Sequence, residues 1–425
     1  MCINRVNHSH ASCMKAKKIL IATLVATTAC GIAGLGNLIN TAHEGIVVNA
    51  PEISTTAAEM VTENTVNYSN APTVTSKAAF LLESNSGQVL FEQNADAHLP
   101  VASMTKVATL GVIYKALAEG KITMDDMVMV SERAASMGGS QAFLDAGSEY
   151  SVHDLIQSIV VASANDSCVA MAEYIAGSIE SFVDSMNAFA RDLGCKNTNF
   201  VNCTGLPTPG AFSCARDMAI MYLAIMQSPH YGDFNQIWMY DLTHPSGRVT
   251  GLTNTNKLIR RYQGCLGGKT GFTNEAGHCI AVAAKSNNIQ PIAVIIGASN
   301  SQTRFNESSA LLDYACKNFE NQLLVDATVP IKTVSVKNAV TETIDLYPAN
   351  NYYHLTSKSG EANLAIATEI PDTITAPFDQ TTDIGEILVT DNGKVVAKIP
   401  VRANVEILKA NYWQTIQKIV HKSTF

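Results

Sequence analysis

Apolar positions follow three successive patterns along this chain. Helical and strand-like runs alternate up to about residue 326, short strand-like runs continue to about 403, and one amphipathic stripe closes the sequence. Residues 78–82 and Val89–Gln93 flank the turn residues Asn85-Ser86-Gly87 and predict a hairpin. Pro100 then precedes Lys106–Ala118, where apolar residues return at helical spacing, so Ser103-Met104-Thr105-Lys106 opens a helix. Ser151 with Asp154 resembles a capping box and predicts a helix ending near Ala162, while Asp166 is placed to cap the next one, through Ala176. Ser163-Ala164-Asn165 therefore falls in the tight turn between two helices. Further helices are predicted over 182–193, Ala215–Met226 and 308–324, with a loop over 202–213 carrying Pro207 and Pro209. Residues 265–270 and Gly277–Ala284 read as antiparallel strands, and Pro291–Ala298 as another. Helices enclosed by strands from both ends imply an α+β plan for residues 77–326, with helices packed on an antiparallel sheet.

Residues 327–403 read as a small all-β domain. Strand-like runs at 331–336, 343–346, 384–389 and 395–401 are separated by turn signals such as Asp391-Asn392-Gly393. In the tail, 404–425, Val405, Leu408, Tyr412, Trp413, Ile416, Ile419 and Val420 fall in one stripe at helical spacing, and Gln414, Gln417, Lys418 and Lys422 face away. Lys409, Lys418 and Lys422, with Arg402 just before the tail, outnumber Glu406, which suits an anionic membrane surface. A helix docked on its own domain is the other reading; the width of the stripe and Trp413 favour the membrane.

At the other end, no acid precedes Glu44, and Arg5, Lys15, Lys17 and Lys18 stand before an apolar run over 19–35. That order predicts an export signal over 1–45, with a retained membrane anchor as the alternative. Residues 46–76, rich in Thr, Asn, Ala and Ser without periodicity, predict a flexible tether. With 425 residues, 47% of them hydrophobic and 16% charged, the chain has the means to bury more than one core. Its net charge of -8 argues against nucleic acid as a partner, since phosphate binding needs a basic excess. Cleavage of the signal leaves Cys168, Cys195, Cys203, Cys214, Cys265, Cys279 and Cys316, an odd set without metal-ligand spacing, so mostly free thiols and no structural metal are expected.

Three strings carry chemistry: Ser103-Met104-Thr105-Lys106, Ser163-Ala164-Asn165 and Lys269-Thr270-Gly271. A serine hydroxyl attacks a carbonyl only if a base takes its proton, and Lys106, one helical turn on, shares a face with Ser103. Burial beside a second cation, Lys269, would bring the Lys106 pKa toward a base's working range. Ser163 is placed to relay a proton to the leaving amine, and Asn165 to hold either the lysine or a substrate amide. Lys269 and Thr270 would receive a substrate carboxylate, and Gly271 would let the substrate lie against the strand. The N–H groups of Ser103 and Phe272 would form the oxyanion hole. Each string alone is common; all three in this order, in helix, turn and strand, specify acyl transfer that needs no cofactor.

The order SxxK, SxN, KTG is similar to that of the penicillin-recognising serine enzymes. More narrowly, the chain resembles low-molecular-mass penicillin-binding proteins of the serine-type D-alanyl-D-alanine carboxypeptidase family. The resemblance rests on Leu99-Pro100-Val101-Ala102-Ser103-Met104-Thr105-Lys106, Ser163-Ala164-Asn165-Asp166, Lys196-Asn197-Thr198 with Asn202 and Gly205-Leu206, and the run from Gly268 through Lys269-Thr270-Gly271-Phe272 to Gly277. It implies a penicillin-binding, β-lactamase-like fold, an exported enzyme at the outer face of the cytoplasmic membrane, and peptidoglycan stem peptides ending in D-Ala-D-Ala as substrate. It also implies an acyl-enzyme on Ser103, which β-lactams would form too, and a carboxylate-binding arginine for which Arg304 stands in the expected place; a surface ion pair is that residue's other reading. Ala164 replaces a common glycine and Thr204 a common histidine. A β-lactamase, which needs a carboxylate to activate water, and a non-catalytic wall-binding protein are the alternatives.

Overall fold

The computed structural model describes residues 70–359 and 363–423. The expected export signal and most of the expected tether lie outside the described residues. An antiparallel five-stranded sheet runs in the order Val89–Gln93, Ala78–Glu83, Pro291–Ala298, Gly277–Ala284, Cys265–Thr273. Strands from the two ends of the region thus meet at its centre, and the strand carrying Lys269 is at an edge.

Period-two alternation sorts the strand residues between two cores. Phe80, Leu82, Ala281, Ala283, Val294 and Ile296 face the helices that carry the first two strings, where Ile113, Ile159, Met171 and Leu223 are buried. Leu81, Ile280, Val282 and Ile295 face the opposite way and pack against Leu311, Leu312 and Ala315 of the helix Ser301–Asn318. With both faces covered, these strands read as nearly unbroken apolar runs. The observed architecture is the α+β plan, with helices packed on an antiparallel sheet, that the sequence implies.

Some boundaries differ from expectation. The helix anticipated at 308–324 is Ser301–Asn318, because Asn300 accepts a hydrogen bond from the Thr303 N–H (2.9 Å) and caps it earlier. Phe319–Val325 is instead a strand paired with Tyr352–Ser357. Asp166 does not cap its helix: the first turn begins at Asn165, and the Asp166 carboxylate accepts the backbone N–H groups of Ala142 and Leu144, tying down the preceding loop. Ser151 does cap Val152–Ala162, accepting from the Asp154 N–H.

Beyond the helix Ser301–Asn318, a six-stranded sheet is ordered Leu364–Glu369, Gly385–Asp391, Lys394–Ala403, Thr343–Pro348, Lys332–Lys337, Thr373–Thr375 around its own apolar core. The tail helix is Tyr412–Ser423, shorter than the anticipated 405–422. Ile407 is drawn into the β core by two backbone hydrogen bonds with Phe378, and the helix starts where Asn411 and Gln414 cap each other reciprocally at 2.8 and 2.9 Å. Lys418, on the polar side, donates to the Ala339 carbonyl, while Tyr412 and Trp413 are exposed. No helix among the described residues is long and apolar enough to cross a membrane.

Candidate active site

Ser103 sits on a short 3-10 turn, Ala102–Thr105, that runs directly into the helix Lys106–Ala118. The turn is held in an unfavourable backbone state: Ala102 has φ 49°, a left-handed conformation that costs a non-glycine residue about 1–3 kcal/mol. Two glycines hold it there. A Cβ on Gly205, itself at φ 81°, would lie 2.0 Å from the Ala102 carbonyl oxygen, and one on Gly271 would lie 2.7 Å from that of Val101. Gly271 therefore lets the edge strand reach the nucleophile's own turn, a closer constraint than the substrate clearance anticipated from sequence.

Lys106 is fully buried and Ser103 half-buried, so the hydroxyl is reachable and the amine is not. The Lys106 Nζ lies 3.1 Å from Ser103 Oγ, 2.7 Å from Asn165 Oδ1 and 2.6 Å from the Thr204 carbonyl oxygen. Asn165 is fixed in this orientation because its Nδ2 donates to the Gly138 carbonyl at 2.6 Å. Both ends of the amide are thus engaged by the protein, and of its two anticipated roles the lysine contact is the one made. Burial lowers the Lys106 pKa, and Cys168, Cys203 and Asp166 oppose that shift.

Lys269 Nζ donates to Ser163 Oγ at 2.7 Å and to the Thr270 carbonyl at 2.9 Å. Burial, then the neighbouring positive charges of Lys106 and Arg304, push its pKa well below the usual lysine value. Ser163 ends its helix in the left-handed conformation (φ 60°), whereas Ala164 has φ -61°, which any residue adopts. The alanine that replaces a common glycine is accordingly unstrained. Thr270 Oγ1 donates to Thr255 Oγ1 at 2.7 Å. Phe272 is exposed and stacks on His278 with ring centroids 4.3 Å apart.

Arg304 is buried rather than ion-paired at the surface. Its Nη1 donates to the carbonyls of Gly271 and Cys279, both at 3.2 Å, and its Nη2 to Ser301 Oγ. It therefore braces the Lys269 strand against its neighbour. The seven cysteines among the described residues are free thiols, including Cys203 and Cys214. No cluster of His, Cys, Asp and Glu among the described residues is arranged to hold a metal.

Sequence reading assigned no structural role to the loop after Asn202. Its Oδ1 accepts the N–H groups of Thr204 (3.0 Å) and Gly205 (2.7 Å), a tight turn that presents the Thr204 carbonyl to Lys106 and Gly205 to the nucleophile turn. Because the contact uses a backbone carbonyl, the exchange of a common histidine for Thr204 leaves it intact. Gly205→Ala is expected to lower stability by about 2 kcal/mol or more, from a Cβ forced onto backbone at positive φ. Activity should fall with it, as kcat rather than KM; a variant with unchanged melting and kcat would show that the contact is not tight.

Residues 65–300 match the family described as D-alanyl-D-alanine carboxypeptidase, and residues 319–409 match penicillin-binding protein 5, C-terminal domain. The D-alanyl-D-alanine carboxypeptidase DacF of Bacillus subtilis (strain 168) is 39% identical over 337 residues, covering 79% of this chain and 87% of that protein. DacC of Escherichia coli (strain K12), of the same description, is 34% identical over 79% of this chain and 86% of its own length. The crystal structure of penicillin binding protein 5 from Haemophilus influenzae superposes with a TM-score of 0.67 at 30% identity, over 80% of this chain and 99% of that one. Fold and likeness together define a serine hydrolase. The chain belongs to the D-alanyl-D-alanine carboxypeptidase family.

Proposed function

We propose that the enzyme removes the terminal D-alanine from peptidoglycan stem peptides through an acyl-enzyme on Ser103. The observation that carries this reading is the surroundings of Lys106 Nζ. Two of its partners, Asn165 Oδ1 and the Thr204 carbonyl, only accept hydrogen bonds. A neutral amine has two N–H groups to satisfy them, and its lone pair then faces Ser103 Oγ. Lys106 takes the hydroxyl proton as Oγ bonds to the carbonyl carbon of the penultimate residue, and the N–H groups of Ser103 and Phe272 receive the oxyanion. As the C–N bond breaks, Ser163 passes a proton from Lys106 to the departing D-alanine nitrogen. Water then adds to the ester with Lys106 again as base, releasing the shortened peptide and restoring Ser103.

Lys269 and Thr270 receive the terminal carboxylate; its charge favours the protonated form of Lys269, which burial and cations otherwise disfavour. Arg304 adds positive potential behind the same strand while holding it in place. The tail helix, with Tyr412 and Trp413 outward, holds the exported enzyme at the membrane surface.

D-alanine release from diacetyl-Lys-D-Ala-D-Ala, blocked by prior incubation with penicillin, tests the assignment; release that penicillin leaves untouched would defeat it. The β-lactam bond should break by the same attack, but no carboxylate hydrogen-bonds Ser103, Lys106, Ser163 or Lys269 among the described residues. A chromogenic β-lactam should therefore give a stoichiometric burst followed by slow turnover. Sustained rapid hydrolysis would instead mark a β-lactamase.

A further inference from the structure

A two-stranded hairpin, Met239–Thr243 with Val249–Thr253, contributes no residue to the three strings. Arg248, at its turn, nevertheless reaches across to the loop over 136–148. Its Nη2 donates to the Phe143 carbonyl at 2.6 Å and to Asp145 Oδ1 at 2.8 Å, and its Nη1 to Thr250 Oγ1 at 3.0 Å. His244 stands behind the guanidinium, 1% exposed, with Nδ1 3.1 Å from Arg248 Nη2 and Nε2 2.7 Å from Thr250 Oγ1. The hairpin therefore holds Arg248 in one direction.

Phe143 needs such a hold. Its side chain is exposed, so burial does not fix it, and its φ of 61° is a left-handed state disfavoured for a bulky residue. Asp166 takes the N–H groups on either side, those of Ala142 and Leu144, and Arg248 takes the Phe143 carbonyl between them. A few residues earlier the same loop sets Asn165. The Ser140 carbonyl accepts the Asn165 backbone N–H at 2.7 Å and the Gly138 carbonyl accepts its Nδ2 at 2.6 Å, which leaves Oδ1 facing Lys106 Nζ at 2.7 Å. We propose that Arg248 is a positioning residue for the reaction: by capturing the Phe143 carbonyl it fixes the loop whose Ser140 and Gly138 carbonyls aim Asn165 at the Lys106 amine. This role rests on the acyl-enzyme reading above, in which Asn165 serves Lys106.

The test is a double-mutant cycle on D-alanine release from diacetyl-Lys-D-Ala-D-Ala, run well below the melting temperature of each variant. Because the Arg248 side chain is 43% exposed, Arg248→Gln is expected to lower kcat by about fivefold, with KM unchanged. In an Asn165→Ala background, where no amide is left to aim, the same substitution should change kcat by less than about twofold. The parent's kcat in Arg248→Gln, a fivefold loss in both backgrounds, or a loss that falls on KM would overturn the positioning role and leave the acyl-enzyme reading standing. Full kcat in Asn165→Ala would instead contradict the part given to Asn165 in that reading, and the role of Arg248 with it.

Discussion

Ser103→Ala releases D-alanine from diacetyl-Lys-D-Ala-D-Ala at least about four orders of magnitude more slowly than the parent, while melting at nearly the same temperature. The loss is large because no other nucleophile replaces it: Ser163, the other serine of the three strings, is 3% exposed and its Oγ already accepts from Lys269. Stability is spared because Ser103 contributes only the one long contact to Lys106, at 3.1 Å. Comparable release by both proteins would remove Ser103 from the reaction.

Lys106→Met is expected to cost about three orders of magnitude in kcat, the usual worth of a positioned general base. Methionine keeps the buried volume, so a loss of this size reflects chemistry and not a cavity. The variant leaves Asn165 Oδ1 and the Thr204 carbonyl without their shared donor, a cost of about 1–3 kcal/mol each, offset by removal of a desolvated amine. Melting should shift by only a few degrees. The pH profile separates a base from a structural group. Lys106 works as a base only when neutral, and burial places its pKa below 10.5, so the parent's kcat rises with pH through a limb below that value. That limb disappears in Lys106→Met. A variant that keeps the same rising limb would assign it to another group.

Residue types, more than geometry, made this site legible in the sequence. Ser103 and Lys106 declare themselves by helical spacing, Ser163 and Asn165 by a turn between two helices, and Lys269 by an apolar strand around it. The contributions that stayed hidden are made by backbone. The Thr204 carbonyl carries no residue signature, and the approach of Gly205 to Ala102 joins segments about a hundred residues apart. The late helix start at 308 reflects the polar opening of Ser301–Asn318, where Asn300 was a better signal than apolar spacing. In Phe319–Val325, burial alternates between Phe319 and Asn321 inside and Glu320 and Gln322 outside, a period of two that a short run cannot distinguish from the end of a helix. Arg304 stands downstream of the Lys269 strand in the sequence, but its burial against the Gly271 and Cys279 carbonyls depends on strands that only the fold brings together.

The most direct test of the account is where a β-lactam attaches. Folded enzyme incubated with penicillin, digested and mapped by mass spectrometry, should carry one penicilloyl group, on the peptide containing Ser103 and on that side chain. An unmodified intact mass, or an adduct on any other residue, would contradict it.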